Sequence, residues 1–119
     1  MPVPLYQAKA EFFRMLAHPV RIRVLELLGT GPMVVRDLLA ELEIEPSNLS
    51  QQLAVLRRAG MVVSTRDGGH VRYALSGPDV ADLMQAARRI LTEMLAGQAE
   101  LLDALRDPEP AEQTPAGKA

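Results

Sequence analysis

The sequence contains no cysteine and no tryptophan, and only 3% of its 119 residues are aromatic. Without cysteine, disulfides, thiolate metal sites and cysteine nucleophiles are excluded. No apolar run approaches the ~20 residues of a membrane-spanning helix, and the first ten residues lack the basic and then apolar order of a secretory signal. Hydrophobic residues still make up 48% of the chain, which is enough for one folded domain. We therefore expect a small cytoplasmic protein.

Charge is distributed unevenly along the chain. The formal net charge is -2, from 13 Lys and Arg against 15 Asp and Glu, and this sum alone does not favour a polyanionic partner. Residues 57–72, however, contain four arginines, one histidine and a single acid, Asp67. Because arginine suits bidentate contacts with phosphate and guanine, this basic segment is a candidate site for nucleic acid.

Apolar periodicity and turn residues predict about five helices. Pro19 and Pro46 suit the first turn of a helix, and Gly29 and Gly60 suit its end. The predicted helices cover residues 5–16, 19–29, 34–42, 46–59 and, after the Ser76-Gly77-Pro78-Asp79 start signal, up to about residue 106. The remaining residues, 107–119, hold three prolines and almost no large apolar side chain, which predicts a disordered tail after a domain of residues 1–106.

A β-hairpin is predicted between the last two helices. Two β-branched runs at residues 61–66 and 71–76 flank Asp67-Gly68-Gly69-His70, and Asp-Gly between alternating apolar runs is a strong hairpin signal. The predicted order is therefore four helices, a hairpin of two antiparallel strands and a long final helix. This order is typical of a winged helix-turn-helix domain, which is mainly α with a β-hairpin wing.

The fourth predicted helix has an apolar face and a polar face without acids. Leu49, Leu53 and Leu56 share one side, and no acid occurs between residues 47 and 59. The other side carries short polar and amide groups, which can pair with base edges in a major groove; they are Ser47, Asn48, Ser50, Gln51 and Arg58. The same residues could simply solubilise an amphipathic helix, but together with the basic hairpin they favour DNA binding.

Three motifs stand together within residues 12–75. They are Leu16-Ala17-His18-Pro19-x-Arg21, Asn48-Leu49-Ser50-Gln51-Gln52-Leu53 and Arg66-Asp67-Gly68-Gly69-His70-Val71-x-Tyr73. In combination they resemble the ArsR/SmtB family of bacterial transcriptional repressors. The resemblance implies a homodimer that binds a double-stranded, pseudo-palindromic operator and represses a small operon. Such a protein would act in the bacterial cytoplasm and join the nucleoid when bound.

The resemblance also implies which residues meet DNA. It assigns base contacts to the recognition helix, at Ser47, Asn48, Ser50, Gln51 and Gln52. It leaves phosphate contacts to basic side chains at the end of that helix and in the wing, at Arg57, Arg58, Arg66, His70 and Arg72.

The metal positions of the family are not matched in this sequence. Where many members have Cys-x-Cys, this chain has Val34 and Arg36, and its last helix has carboxylates but no histidine. Transition metals prefer nitrogen or sulfur donors, so we expect no cofactor. His18 is expected to cap or pack at a helix start, and His70 to meet phosphate or solvent. A weak metal site at either histidine stays open, as does a separate sensor protein with this chain as its DNA-binding subunit in a metal-responsive pair.

The final predicted helix carries two apolar rows. The first follows alternating spacings of four and three, as in helices packed side by side, and the second contains Leu83, Ile90, Leu95 and Leu102. We expect one row to face the domain and the other to face a second copy of the chain, alongside helix one. The predicted dimer residues are Phe12, Val80, Met84, Ala87, Leu91, Met94 and Leu101.

Two other function classes fit the sequence less well. An enzyme would need a Ser–His–acid set in a strand–turn–helix context, and none is recognisable. Gly68-Gly69 lies in a hairpin turn and does not open a helix, so it is not a phosphate-binding loop. A winged-helix module that binds protein would need apolar anchors or acids on the outer face of the fourth helix, where Ser, Gln and Arg occur instead.

Overall fold

The computed structural model describes residues 2–106, so the predicted tail at residues 107–119 lies outside the described residues. Helices and strands follow one another in the order α1, α2, β1, α3, α4, β2, β3, α5. Their bounds are Leu5–Leu16 (α1), Pro19–Leu28 (α2), Met33–Val34 (β1), Val35–Leu42 (α3), Pro46–Arg58 (α4), Val62–Asp67 (β2), His70–Leu75 (β3) and Pro78–Arg106 (α5). The chain divides into two compact units, Met1–Met84 and Gln85–Ala119. No helix within residues 2–106 is both long and apolar enough to cross a membrane.

The helix boundaries follow the predicted start and stop residues. Pro19 and Pro46 each lie in the first turn of their helix. His18 precedes Pro19 as the N-cap of α2, where its Nδ1 accepts a hydrogen bond from the backbone N–H of Val20 at 3.1 Å. This satisfies one of the N–H groups that a helix start leaves without a partner. The capping role predicted for His18 is therefore confirmed.

Gly60 ends α4 as predicted. Its φ of 79° lies in the left-handed region, which glycine adopts without a steric penalty. In this conformation its N–H donates to the carbonyl of Arg57, and the N–H of Met61 donates to the carbonyl of Leu56. This pair of bonds is the Schellman motif, and it turns the chain from α4 directly into β2.

The wing contains one strand more than predicted. β2 and β3 form the expected antiparallel hairpin, closed by Gly68 and Gly69 with φ values of 56° and 90°, as a type I′ turn requires. β1 adds to the other edge of β3, giving the order β1-β3-β2. The hairpin itself is confirmed, and the third helix begins at Val35, one residue later than predicted. Strand β1 was not predicted because a two-residue strand has no readable period; it forms only where a distant strand supplies its backbone partners.

The core of the first unit joins its helices to the base of the wing. Eleven buried side chains form one cluster: Leu16, Val24, Leu25, Leu28, Leu38, Leu49, Leu53, Leu56, Met61, Val62 and Val80. The predicted apolar face of α4 is confirmed, because its three leucines are each at most 2% exposed. Burial of this face fixes α4 against the domain and leaves its opposite face at the surface.

Some residues predicted for the dimer lie elsewhere in the structure. Val80 is only 9% exposed and belongs to the core of its own chain, so its assignment to a dimer surface was wrong. Phe12 and Met84 also pack against this core, although each is only partly buried. The reason is that the apolar row of α5 starts over the domain, where it completes the core. Farther along α5, Ala87 is exposed, and Leu91, Met94 and Leu101 are 55–60% exposed.

Candidate nucleic-acid interface

The outer face of α4 presents polar side chains to solvent. Ser47, Ser50 and Gln51 are exposed, and Ala54 and Val55 are half-buried beside them. They share one side of the helix because residues three and four positions apart lie one above the other. Hydroxyl and amide groups can bond to base edges, and small apolar groups can contact a thymine methyl. This face therefore has the groups that a helix needs in a major groove.

Gln52 lies in the interior, although the resemblance assigned it to base contacts. Its side chain is 7% exposed, and it is the only buried polar residue among residues 2–106. The side-chain oxygen accepts from Nε of Arg21 at 2.8 Å, and its nitrogen donates to Oδ1 of Asn48 at 3.0 Å. A buried amide is held by such partners, and both ends of this one are occupied inside the protein. The assignment of Gln52 to base contacts is corrected on this geometry.

A depression of about 330 Å³ lies between α2 and the outer face of α4. It is lined by Arg21, Gln51, Gln52, Ala54, Val55 and Arg58. Two guanidinium groups and one exposed amide thus border the same concave surface. Arg21 was not among the residues predicted to contact DNA, and its only signal in the sequence is its place in the first of the three motifs.

The two faces of the wing carry different basic residues. Register pairs Asp67 with His70, Thr65 with Arg72, and Arg66 with Val71. Since neighbouring residues of a strand point to opposite faces, His70 and Arg72 lie on one face and Arg66 lies on the other. Nη2 of Arg72 is 3.7 Å from Oδ2 of Asp67, and an exposed ion pair of this kind contributes little stability.

Three arginines of this surface have no acidic partner in the described part of the chain. Arg57, Arg58 and Arg66 are exposed, and within residues 2–106 the salt bridges involve other basic residues. Phosphate oxygens are natural acceptors for an unpaired guanidinium group. The surface therefore combines polar groups on α4 with arginines available to a polyanion.

Residues 2–106 contain no cluster of metal-binding side chains. Among these residues, no group of three or more histidines and carboxylates is arranged to hold a metal ion. His18 already accepts a backbone hydrogen bond through Nδ1. The positions of the family's Cys-x-Cys pair hold Val34, which is buried, and Arg36, which lies 3.9 Å from a carboxylate oxygen of Asp37.

Residues 18–64 match the family of bacterial regulatory proteins called the arsR family. The HTH-type transcriptional regulator Rv0081 of Mycobacterium tuberculosis is 50% identical over 104 residues, which are 87% of this chain and 91% of the relative. The chain belongs to the ArsR family. The biofilm growth-associated repressor of Agrobacterium fabrum is 36% identical over 90 residues, which cover 72% of this chain and 77% of that protein.

Solved structures agree with this membership of the ArsR family. The crystal structure of Rv0081 superposes with a TM-score of 0.76 at 49% identity, covering 82% of this chain and 99% of that one. The homodimeric winged helix-turn-helix domain Mb0332 of Mycobacterium bovis matches with a TM-score of 0.69 at 27% identity, covering 76% and 84% of the two chains. The predicted fold and family are confirmed: the chain is a DNA-binding transcriptional regulator with a winged helix-turn-helix fold.

Proposed function

We propose that this ArsR-family protein is a homodimeric repressor that binds a pseudo-palindromic operator in the bacterial cytoplasm and joins the nucleoid when bound. The observation that carries the proposal is the outer face of α4, which is exposed, polar and free of acids, beside arginines without acidic partners in the described chain. A helix of this kind reads base edges while basic groups contact phosphates. Repression is supported by the Agrobacterium relative, which is a repressor.

The homodimer is supported by apolar surface on α5. Leu91, Met94 and Leu101 lie in one row and are each more than half exposed. Monomeric proteins rarely leave a long apolar patch in contact with water, and Mb0332, whose fold is similar, is homodimeric. A two-fold axis through such a seam would set the two recognition helices about one DNA turn (~34 Å) apart, in successive major grooves.

A gel-shift titration against genomic fragments that include the protein's own promoter tests the proposal. One fragment should be retained at far lower protein concentration than the others, and its footprint should show two related half-sites. Equal retention of all fragments would mean that the protein does not read sequence, and the proposed function would then be wrong.

Gln51 is expected to read a particular base pair. Because its amide is exposed on the outer face of α4, Gln51→Ala should weaken operator binding by about 1–3 kcal/mol if the contact is bidentate. The loss should be confined to operators that carry the preferred base at one position of each half-site. Competition titrations with single-base operator variants measure it. Unchanged affinity and base preference would show that α4 lies in a different register.

The wing arginines are expected to contact phosphates. Arg66→Ala and Arg72→Ala should each weaken binding to all sequences alike and reduce the slope of log affinity against log salt by about one unit. Arg66 and Arg72 lie on opposite faces of the wing, so a wing inserted in a groove would meet both strands. Arg14→Ala is the control, because this arginine of α1 lies outside the proposed surface. Titrations at several salt concentrations measure the slopes, and a loss restricted to particular base pairs would contradict a phosphate role.

A further inference from the structure

Three hydrogen bonds connect the end of α1 to the first turn of α4. Nη1 of Arg21 donates to the carbonyl of Met15 at 2.6 Å, one of the carbonyls that the end of α1 leaves free. Nε of Arg21 donates to Oε1 of Gln52 at 2.8 Å, and Nε2 of Gln52 donates to Oδ1 of Asn48 at 3.0 Å. The three bonds form one series of hydrogen bonds, which begins at the carbonyl of Met15 and ends at the side chain of Asn48.

Arg21 determines the direction of the whole series. A guanidinium group has donors only, whereas an amide has an accepting oxygen at one end and a donating nitrogen at the other. Gln52 must therefore turn its oxygen toward Arg21, which leaves its nitrogen facing Asn48. Asn48 must in turn accept through its oxygen. The opposite orientation of either amide would place two donors against each other in a half-buried site, where an unmade hydrogen bond is costly.

The nitrogen of Asn48 is left for a partner outside the protein. Nδ2 of Asn48 donates to no group among the described residues, and no buried side-chain polar atom there lacks a partner, so this nitrogen is open to solvent. Asn48 is half-buried and lies between exposed Ser47 and the outer face of α4. Its donor end is therefore at the surface that the proposed function places against DNA.

We propose that Asn48 meets DNA as a hydrogen-bond donor, and that Arg21 and Gln52 are positioning residues that impose this polarity. The inference rests on the proposed function. An unconstrained asparagine pairs with adenine through its oxygen and its nitrogen together. With its oxygen directed at Gln52, Asn48 selects acceptor atoms in the major groove instead, which are O6 and N7 of guanine, N7 of adenine and O4 of thymine, and it disfavours cytosine, whose major-groove edge has only a donor. Gln52 thus acts on specificity without touching DNA.

Selection from a pool of duplexes with randomised sequence provides the first test. The wild-type protein should enrich a symmetric motif, and Asn48→Ala should lose the preference for a base with a major-groove acceptor over cytosine at one position of each half-site. We expect this preference to fall by about five- to tenfold, the scale of one hydrogen bond, while the other positions keep theirs. Asn48→Ala with every base preference unchanged would overturn the inference.

Gln52→Glu provides the second test, because it reverses the polarity with almost no change of shape. A carboxylate only accepts, so it can keep the bond from Arg21 but must then receive a bond from Nδ2 of Asn48. Asn48 then turns its oxygen toward DNA, and preference at the same position should move toward cytosine, the base whose only polar group in the major groove is a donor. The added charge weakens all binding, so the readout is the preferred base rather than the affinity. A merely structural role of Gln52 would leave that preference where it was.

Asn48→Asp is the matched variant, because it presents an acceptor to DNA while Gln52 and Arg21 stay unchanged. It should shift preference in the same direction as Gln52→Glu, and it keeps the inference testable if Gln52→Glu fails to fold, which thermal unfolding would show. Retention of the wild-type preference in folded Asn48→Asp, or in folded Gln52→Glu, would overturn the inference. A wild-type protein that enriches no motif would instead contradict the proposed function, so the two failures are distinguishable.

Discussion

Replacement of Leu91 and Met94 together by aspartate is expected to yield folded monomers that have lost most of their operator affinity. Both residues are 55% exposed in the single chain and lie outside its buried core, so the change should leave the fold of the single chain intact. In a dimer the same positions would place carboxylates inside an apolar seam, where an unpaired charge is strongly unfavourable. A dimer also binds its second half-site at high effective concentration. Loss of dimerisation should therefore lower operator affinity by about 10²–10⁴-fold.

Sedimentation measures the oligomeric state of this double variant, and a gel-shift titration measures its affinity. The control is Thr92→Asp with Ala96→Asp, which adds the same charges on the opposite side of α5 at the 100° step of a helix. Both control positions are exposed, and this variant should remain a dimer that binds DNA. If the Leu91 and Met94 variant still sediments as a dimer, the interface lies on another surface.

Leu56→Ala is expected to lower the free energy of unfolding by about 2–5 kcal/mol, the range for truncating a leucine in a packed core. Leu56 is 0% exposed and belongs to the buried cluster that holds α4 against the domain. Loss of its side chain leaves a cavity behind the recognition helix. DNA binding should therefore weaken near the unfolding midpoint and be nearly normal well below it, because the outer face of α4 is unchanged.

Chemical denaturation at fixed protein concentration measures this loss, since the stability of a dimer depends on concentration. Val63→Ala is the control, because Val63 is 48% exposed on β2 and its truncation should cost less than about 1 kcal/mol. A similar loss in both variants would show that Leu56 contributes no more than a surface residue, against its position in the core.

Local signals were sufficient for most helix and strand boundaries. Pro19 and Gly60 acted at single positions, through a preset φ and a left-handed φ, so their effect did not depend on distant residues. Asp67 and Gly68 specified a tight hairpin for the same reason. Strand β1 escaped prediction because its two residues, Met33–Val34, become a strand only by bonding to β3.

The sequence by itself determined the order of the five helices and the hairpin, the buried face of α4 and the family, because these depend on residue types at short spacings. Only the tertiary structure decided the roles of Gln52 and Val80. Periodicity places Gln52 at the border between the two faces of α4. In the folded protein its side chain is buried and accepts a hydrogen bond from Arg21 of α2. Val80 begins an apolar row whose members look alike in sequence, but Val80 is buried in the core of the first unit, whereas Leu91 is more than half exposed. Both outcomes depend on which surfaces meet after folding, and spacing along one helix carries no information about that.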